Sequence, residues 1–172
     1  MLIRPAAPAD LPAITALYRE YVLTGTATFE LDPPDSAEMA RRHADIAAKG
    51  FPYLVAEIEG QVAGYAYAST FRPRVAYRYT VENSVYLSPA FQRRGVGKAL
   101  MQAVIAQCQA AGIRQMIAVI GDSTNAGSIA LHKSLGFDGY SVQRSVGLKF
   151  GRWLDTVTMQ LAIGEGDGSI PR

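Results

Sequence analysis

The sequence predicts an α/β (α+β mixed) protein, a mixed sheet with helices on both faces. Three observations carry this. Runs rich in Val, Ile, Thr and Tyr alternate along the chain with runs whose apolar residues recur at spacings of three and four. One strand-like run, Tyr79 to Leu87, passes through Ser88-Pro89 and the turn Gln92-Arg93-Arg94-Gly95-Val96-Gly97 directly into a helical run. With 172 residues, 49% of them hydrophobic, the chain can bury the core of one domain.

Leu2 to Arg4 reads as a first strand, and Asp10 as the cap of a helix reaching about Leu23. Ser36 opens a second helix that Gly50 ends. Tyr53 to Ile58 and Val62 to Thr70 form a hairpin, because Gly60 in Glu59-Gly60-Gln61 can take the positive φ of a tight turn. Tyr79 to Leu87 is the central strand, stopped where Pro89 cannot donate to a ladder. From Gly97 to Ala111 a helix buries Val96, Leu100, Val104, Ile105 and Cys108 and leaves Lys98, Gln102, Gln107 and Gln109 nearer water. Gln115 to Ile120 is a strand, Ser128 to Leu135 a helix closed by Gly136, and two strands follow near Tyr140 to Leu148 and Leu154 to Leu161. Residues 1–163 make a single domain without internal repeats. The tail, 164–172, is rich in Gly, Asp, Glu and Ser and is expected to be disordered.

A net charge of +2 and a pI near 8.7 argue against a nucleic-acid partner, which needs a concentrated basic face. The arginines fall in small separate groups. No run is long enough to cross a membrane, and Arg4, Pro5, Pro8, Asp10 and Pro12 interrupt any signal-peptide core. Cys108, the one cysteine, excludes an internal disulfide and fits a reducing compartment. A soluble cytoplasmic protein is expected.

The glycine turn carries the first chemistry. The opening amides of a helix lack internal partners and point, with the positive end of the helix dipole, at whatever precedes them. Gly95 and Gly97 let a phosphate approach the backbone, and Arg93, Arg94 and Lys98 add positive charge. Without further support the same turn reads more often as an ordinary loop with a solvated rim.

Gln92-x-x-Gly95-x-Gly97 after Ser84-Val85-Tyr86-Leu87 resembles the acyl-coenzyme A motif of the GCN5-related N-acetyltransferases (GNAT). Asn125 to His132, followed by Leu135-Gly136-Phe137, is similar to that superfamily's later motif. Tyr77 to Glu82, Ala118 to Asp122 and Lys149 to Asp155 resemble its phosphinothricin and methionine sulfoximine acetyltransferase branch. The five stretches come in the right order across nearly the whole chain. The resemblance implies the GNAT fold, whose central, mostly antiparallel sheet has two splayed middle strands. It also implies acetyl-CoA as co-substrate, no metal, a small-molecule amine acceptor and a homodimer that the Lys149–Asp155 hairpin helps to build; the hairpin is otherwise only a sheet-closing turn.

It further implies roles for named residues. Glu82, the one acidic residue on the strand before the turn, would be the general base, since a protonated amine cannot attack a thioester; a strand glutamate there otherwise simply faces water. His132 would protonate the leaving thiolate, or else be an ordinary half-exposed helical histidine. Val85, Tyr86 and Leu87 would pair through their backbone with pantetheine, and one of these amides would hold the oxyanion. Arg93, Arg94, Gly95, Val96, Gly97 and Lys98 would bind phosphate, joined on the cofactor side by Asn125 and Ser134, although Asn125 also suits a helix N-cap. On the acceptor side the resemblance sets Phe29, Glu30, Arg72, Pro73, Arg74, Tyr77, Tyr79, Asn83 and Ser84 around Glu82, with Arg72 or Arg74 suited to hold an α-carboxylate in its planar fork. The acceptor would be L-phosphinothricin, methionine sulfoximine or methionine sulfone. The alternatives are another amine, such as an aminoglycoside, a polyamine or a protein N-terminus, and an acyl-CoA-binding module without turnover.

Overall fold

The computed structural model describes residues 1–171. Seven strands form one sheet: β1 (Leu2–Pro5), β2 (Tyr53–Ile58), β3 (Gln61–Thr70), β4 (Thr80–Leu87), β5 (Gln115–Gly121), β6 (Asp138–Lys149) and β7 (Arg152–Ala162). Their spatial order is β1-β2-β3-β4-β5-β7-β6, and every neighbouring pair is antiparallel except β4 with β5. The helices are α1 (Leu11–Thr24), α2 (Ser36–Ala48), α3 (Val96–Ala110) and α4 (Ala126–Ser134). No helix among the described residues is long and apolar enough to cross a membrane.

The period of two along each strand divides the sheet into two cores. Leu54, Ala66, Ala68 and Val81 point to one face, where Leu100, Met101, Val104 and Cys108 of α3 close over them and the apolar side of α4 packs beside. Tyr53, Val55, Tyr65 and Tyr86 point to the other, under Ile14, Leu17, Tyr18 and Val22 of α1 and Met39 of α2. The period of α3 places its residues as the sequence predicts, with Lys98, Gln102, Gln107 and Gln109 exposed.

Two local expectations change. Asp10 does not cap α1. Its carboxylate accepts from the Ala7 amide at 2.7 Å and from the two terminal guanidinium nitrogens of Arg4 at 2.7 and 2.8 Å, because these charge-assisted bonds outweigh a bond to a helix amide. Asp35, one residue before α2, does cap its helix, accepting from the Glu38 amide at 2.8 Å. In the tail, residues 164–169 form turns in place of the expected disorder: the Gly166 amide donates to Ile163, and Glu165 pairs with Arg114 at 3.2 Å. Arg172 lies outside the described residues.

Candidate active site

β4 and β5 run side by side only from Thr80 opposite Gln115 to Asn83 opposite Ala118. Beyond that point β4 stays with β3 as far as Leu87, while β5 stays with β7 as far as Gly121, so the two strands part. The parting opens a cleft of ≈ 510 Å³ between Ser84–Leu87 and Ala118–Gly121. Backbone groups alternate in direction along β4. The Ser88 amide donates to Ala63 in β3, so the amide and carbonyl of Leu87, and those of Val85 two residues earlier, face the open side. Val85 therefore presents an unpaired strand edge to the cleft. Tyr86 turns its backbone toward β3 instead and buries its ring among Tyr18, Tyr21 and Tyr65. At Leu87 both groups are taken by the Tyr21 hydroxyl, which donates to the carbonyl at 2.8 Å and accepts from the amide at 3.2 Å. Sequence reasoning missed Tyr21, which reaches β4 from a helix 66 residues away.

The wide end of the cleft meets the start of α3. Gly95 takes φ 78°, the left-handed value that lets the chain turn into the helix. Gly97 is buried against Leu87 and Leu131, whose side chains would lie 3.1 and 3.2 Å from any Cβ there. The first amides of α3 thus open on the cleft, with Arg93 and Lys98 at its rim. Arg94 is not part of this lining. Its guanidinium lies over the Phe91 ring, 5.5 Å from the centroid.

Asn125, Ser134 and His132 line the cleft from α4. Asn125 caps its own helix, accepting from the Ser128 amide at 3.2 Å, and the Ser134 hydroxyl donates to the Leu131 carbonyl at 2.7 Å. His132 is 2% exposed, and burial pushes its imidazole below the ordinary histidine value. Its Nδ1 lies 2.8 Å from the Ser128 carbonyl, which can only accept, so Nδ1 carries the proton. Nε2 is then the acceptor for Asn83 Nδ2 at 2.9 Å. This arrangement leaves His132 without a proton for a thiolate. The role of general acid does not fit it, because burial selects the neutral ring and a backbone carbonyl occupies its single N–H.

Glu82 and Asn83 leave β4 on opposite faces. Asn83 meets α3 and α4, on the cofactor side rather than the expected acceptor side, whereas Glu82, Ser84 and Tyr86 share the face of α1 and α2. Glu82 is half-buried, and that burial holds its carboxyl above the ordinary glutamate range.

The acceptor-side residues come from two loops. In the loop between α1 and α2, the Thr26 hydroxyl donates to Asp122 at 3.0 Å, Lys149 Nζ donates to the Thr28 carbonyl at 2.8 Å, and Phe29 packs on Gly147. Glu30 is ion-paired with Arg42 at 2.6 Å, so its charge is already matched. In the loop between β3 and β4, Arg72 lies over the rings of Phe71 and Tyr77 and donates to the Tyr77 hydroxyl at 3.2 Å. Pro73 and Arg74 are exposed, and Arg78 covers Tyr79 at 4.5 Å. A second hollow of ≈ 230 Å³, lined by Tyr18, Arg42, Tyr53, Tyr65, Tyr67 and Ser69, lies on the Glu82 face; Ser69 stands directly opposite Glu82 in β3. Its signal in the sequence is Tyr65-Ala66-Tyr67-Ala68, tyrosines and alanines alternating across the two faces.

Residues 14–137, more than half of the chain, match the Acetyltransferase (GNAT) family. The chain belongs to this family. A phosphinothricin N-acetyltransferase of Alcaligenes faecalis is 50% identical over 98% of the chain and 86% of its own length. An L-methionine sulfoximine/L-methionine sulfone acetyltransferase of Pseudomonas aeruginosa is 43% identical over 92% of each chain. Among solved structures, a GNAT superfamily phosphinothricin acetyltransferase from Sinorhizobium meliloti, in complex with AcCoA, superposes with a TM-score of 0.96 at 52% identity, covering 99% of this chain and 92% of that one.

The protein is an acetyl-CoA-dependent N-acetyltransferase of the GNAT fold. The cleft of this acetyltransferase fits the co-substrate. An extended arm carrying amides suits the free edge at Val85, and a pyrophosphate suits the first amides of α3, which line the cleft. Among the described residues no group of three or more His, Cys, Asp and Glu side chains is placed to hold a metal.

Proposed function

We propose that this acetyltransferase moves the acetyl group of acetyl-CoA to the α-amine of a small amino acid analogue, L-phosphinothricin, methionine sulfoximine or methionine sulfone, by direct attack in a ternary complex. The observation that carries this reading is Glu82, half-buried on the acceptor face at the point where β4 and β5 part. Its carboxylate takes a proton from the acceptor ammonium, directly or through a water. The freed amine attacks the thioester carbon, and the Val85 amide, on the open edge, donates to the oxyanion. The C–S bond then breaks, and the proton shed by the new amide nitrogen goes to the departing thiolate. Arg72 or Arg74 holds the acceptor's α-carboxylate, beside Phe29, Tyr77 and Tyr79. The names of the relatives support this acceptor class.

The test is coenzyme A release from acetyl-CoA with purified protein and a panel of amines. Turnover is expected with phosphinothricin, methionine sulfoximine and methionine sulfone and not with polyamines or aminoglycosides. Turnover only with the latter would discard the acceptor assignment, and coenzyme A binding without turnover on any amine would make the protein a binding module.

We also infer a homodimer, in the cytoplasm, with a role in detoxification or resistance. The β6–β7 hairpin exposes Val146, Leu148, Phe150 and Trp153, each more than half exposed, along one edge of the sheet. Light scattering at micromolar concentration is expected to return twice the 18.5 kDa chain mass; a monomer would sink the dimer.

A further inference from the structure

Asn83 is 5% exposed and lines the cleft exactly where β4 and β5 begin to part. Its Oδ1 is the one buried side-chain nitrogen or oxygen among the described residues that has no hydrogen-bond partner. Leaving such an acceptor unmatched costs about 1–3 kcal/mol, so it calls for a donor, either an ordered water or a group of a bound ligand. The amide cannot relieve this by turning over. Nε2 of His132 is an acceptor, because Nδ1 carries the proton held by the Ser128 carbonyl, and Nε2 therefore demands the NH₂ end of Asn83. With Nδ2 committed to His132, Oδ1 is left for a donor from the cleft.

We propose that Asn83 binds the co-substrate: Oδ1 accepts from an amide N–H of the pantetheine arm, and His132 is a positioning residue that keeps the Asn83 amide in the accepting orientation. The assignment rests on the acetyl-CoA dependence of the family and not on the acceptor reading. It explains why a buried neutral histidine sits where it has no proton to give.

The experiment is calorimetric binding of coenzyme A, without any acceptor, alongside adenosine 3′,5′-bisphosphate, which lacks the pantetheine arm. Asn83→Leu, close in volume, is expected to weaken coenzyme A about tenfold, the loss of one well-placed hydrogen bond, and to leave the bisphosphate within about twofold of the unmodified protein. His132→Leu is expected to weaken coenzyme A in the same selective way. His132→Gln, whose side-chain oxygen can accept from Asn83 Nδ2, is expected to restore most of the affinity. Unchanged coenzyme A binding in Asn83→Leu would show that only a buried water meets Oδ1. Parallel weakening of both ligands would show that Asn83 merely supports the fold. Either result overturns the proposal, and failure of His132→Gln to rescue would remove the positioning role of His132.

Discussion

Glu82→Gln is expected to lower turnover about 10²- to 10⁴-fold, the usual worth of a positioned general base, while coenzyme A affinity stays near that of the unmodified protein. The separation follows from the faces of β4. Glu82 points to the α1–α2 side, whereas the groups suited to hold the co-substrate lie on its edge and on the α3–α4 side. Glutamine keeps the shape and removes the basic oxygen. The direction of the Glu82 shift also sets the pH dependence. Burial favours the protonated acid, so the carboxylate becomes available only above the ordinary glutamate range. The kcat/KM profile should therefore fall on its acid side through a raised glutamate pKa, and Glu82→Gln should erase that limb. Steady-state rates across pH measure both effects. An unaffected rate, or an acid limb that survives the substitution, would remove Glu82 as the base.

Gly121→Ala is expected to destabilise the protein by about 2 kcal/mol, a typical value for overpacking against backbone. That corresponds to a melting temperature about 6 °C lower for a domain of this size. A Cβ at 121 would stand 2.5 Å from the Thr26 carbonyl oxygen and 3.0 Å from that of Ala27. Both are backbone atoms, so relief requires moving the loop itself. That loop is pinned on the far side by Lys149 at Thr28 and by Arg42 at Glu30, and it carries Phe29. Displacing it should raise the acceptor KM several-fold more than it changes kcat. Thermal melts and initial rates decide this, and an unchanged melting temperature together with an unchanged KM would refute the wedge.

The α3 region shows how far local rules reach. Leu100, Val104 and Cys108 recur at helical spacing and are buried, and Gly95 adopts the positive φ that its place before the helix requires. Asp10 shows the opposite case. It satisfies the local pattern of a cap, yet Arg4 in a neighbouring strand takes its carboxylate. Tyr21 is a sharper case still, since nothing around it in the sequence says that its hydroxyl will occupy both backbone groups of Leu87.

By itself the sequence determined the order of strand, glycine turn and helix, the period of each element and the family motifs, all properties of residues near one another along the chain. Only the tertiary structure decided where β4 and β5 separate, because that depends on β3 and β7 holding each strand from outside. It also decided the chemical state of the site. Asn83 and His132 are 49 residues apart, and Lys149 and Thr28 are 121 apart. Such bonds follow from how the helices and the hairpin pack on the sheet, and that packing leaves His132 neutral, Glu30 already paired and Glu82 alone with its raised carboxyl.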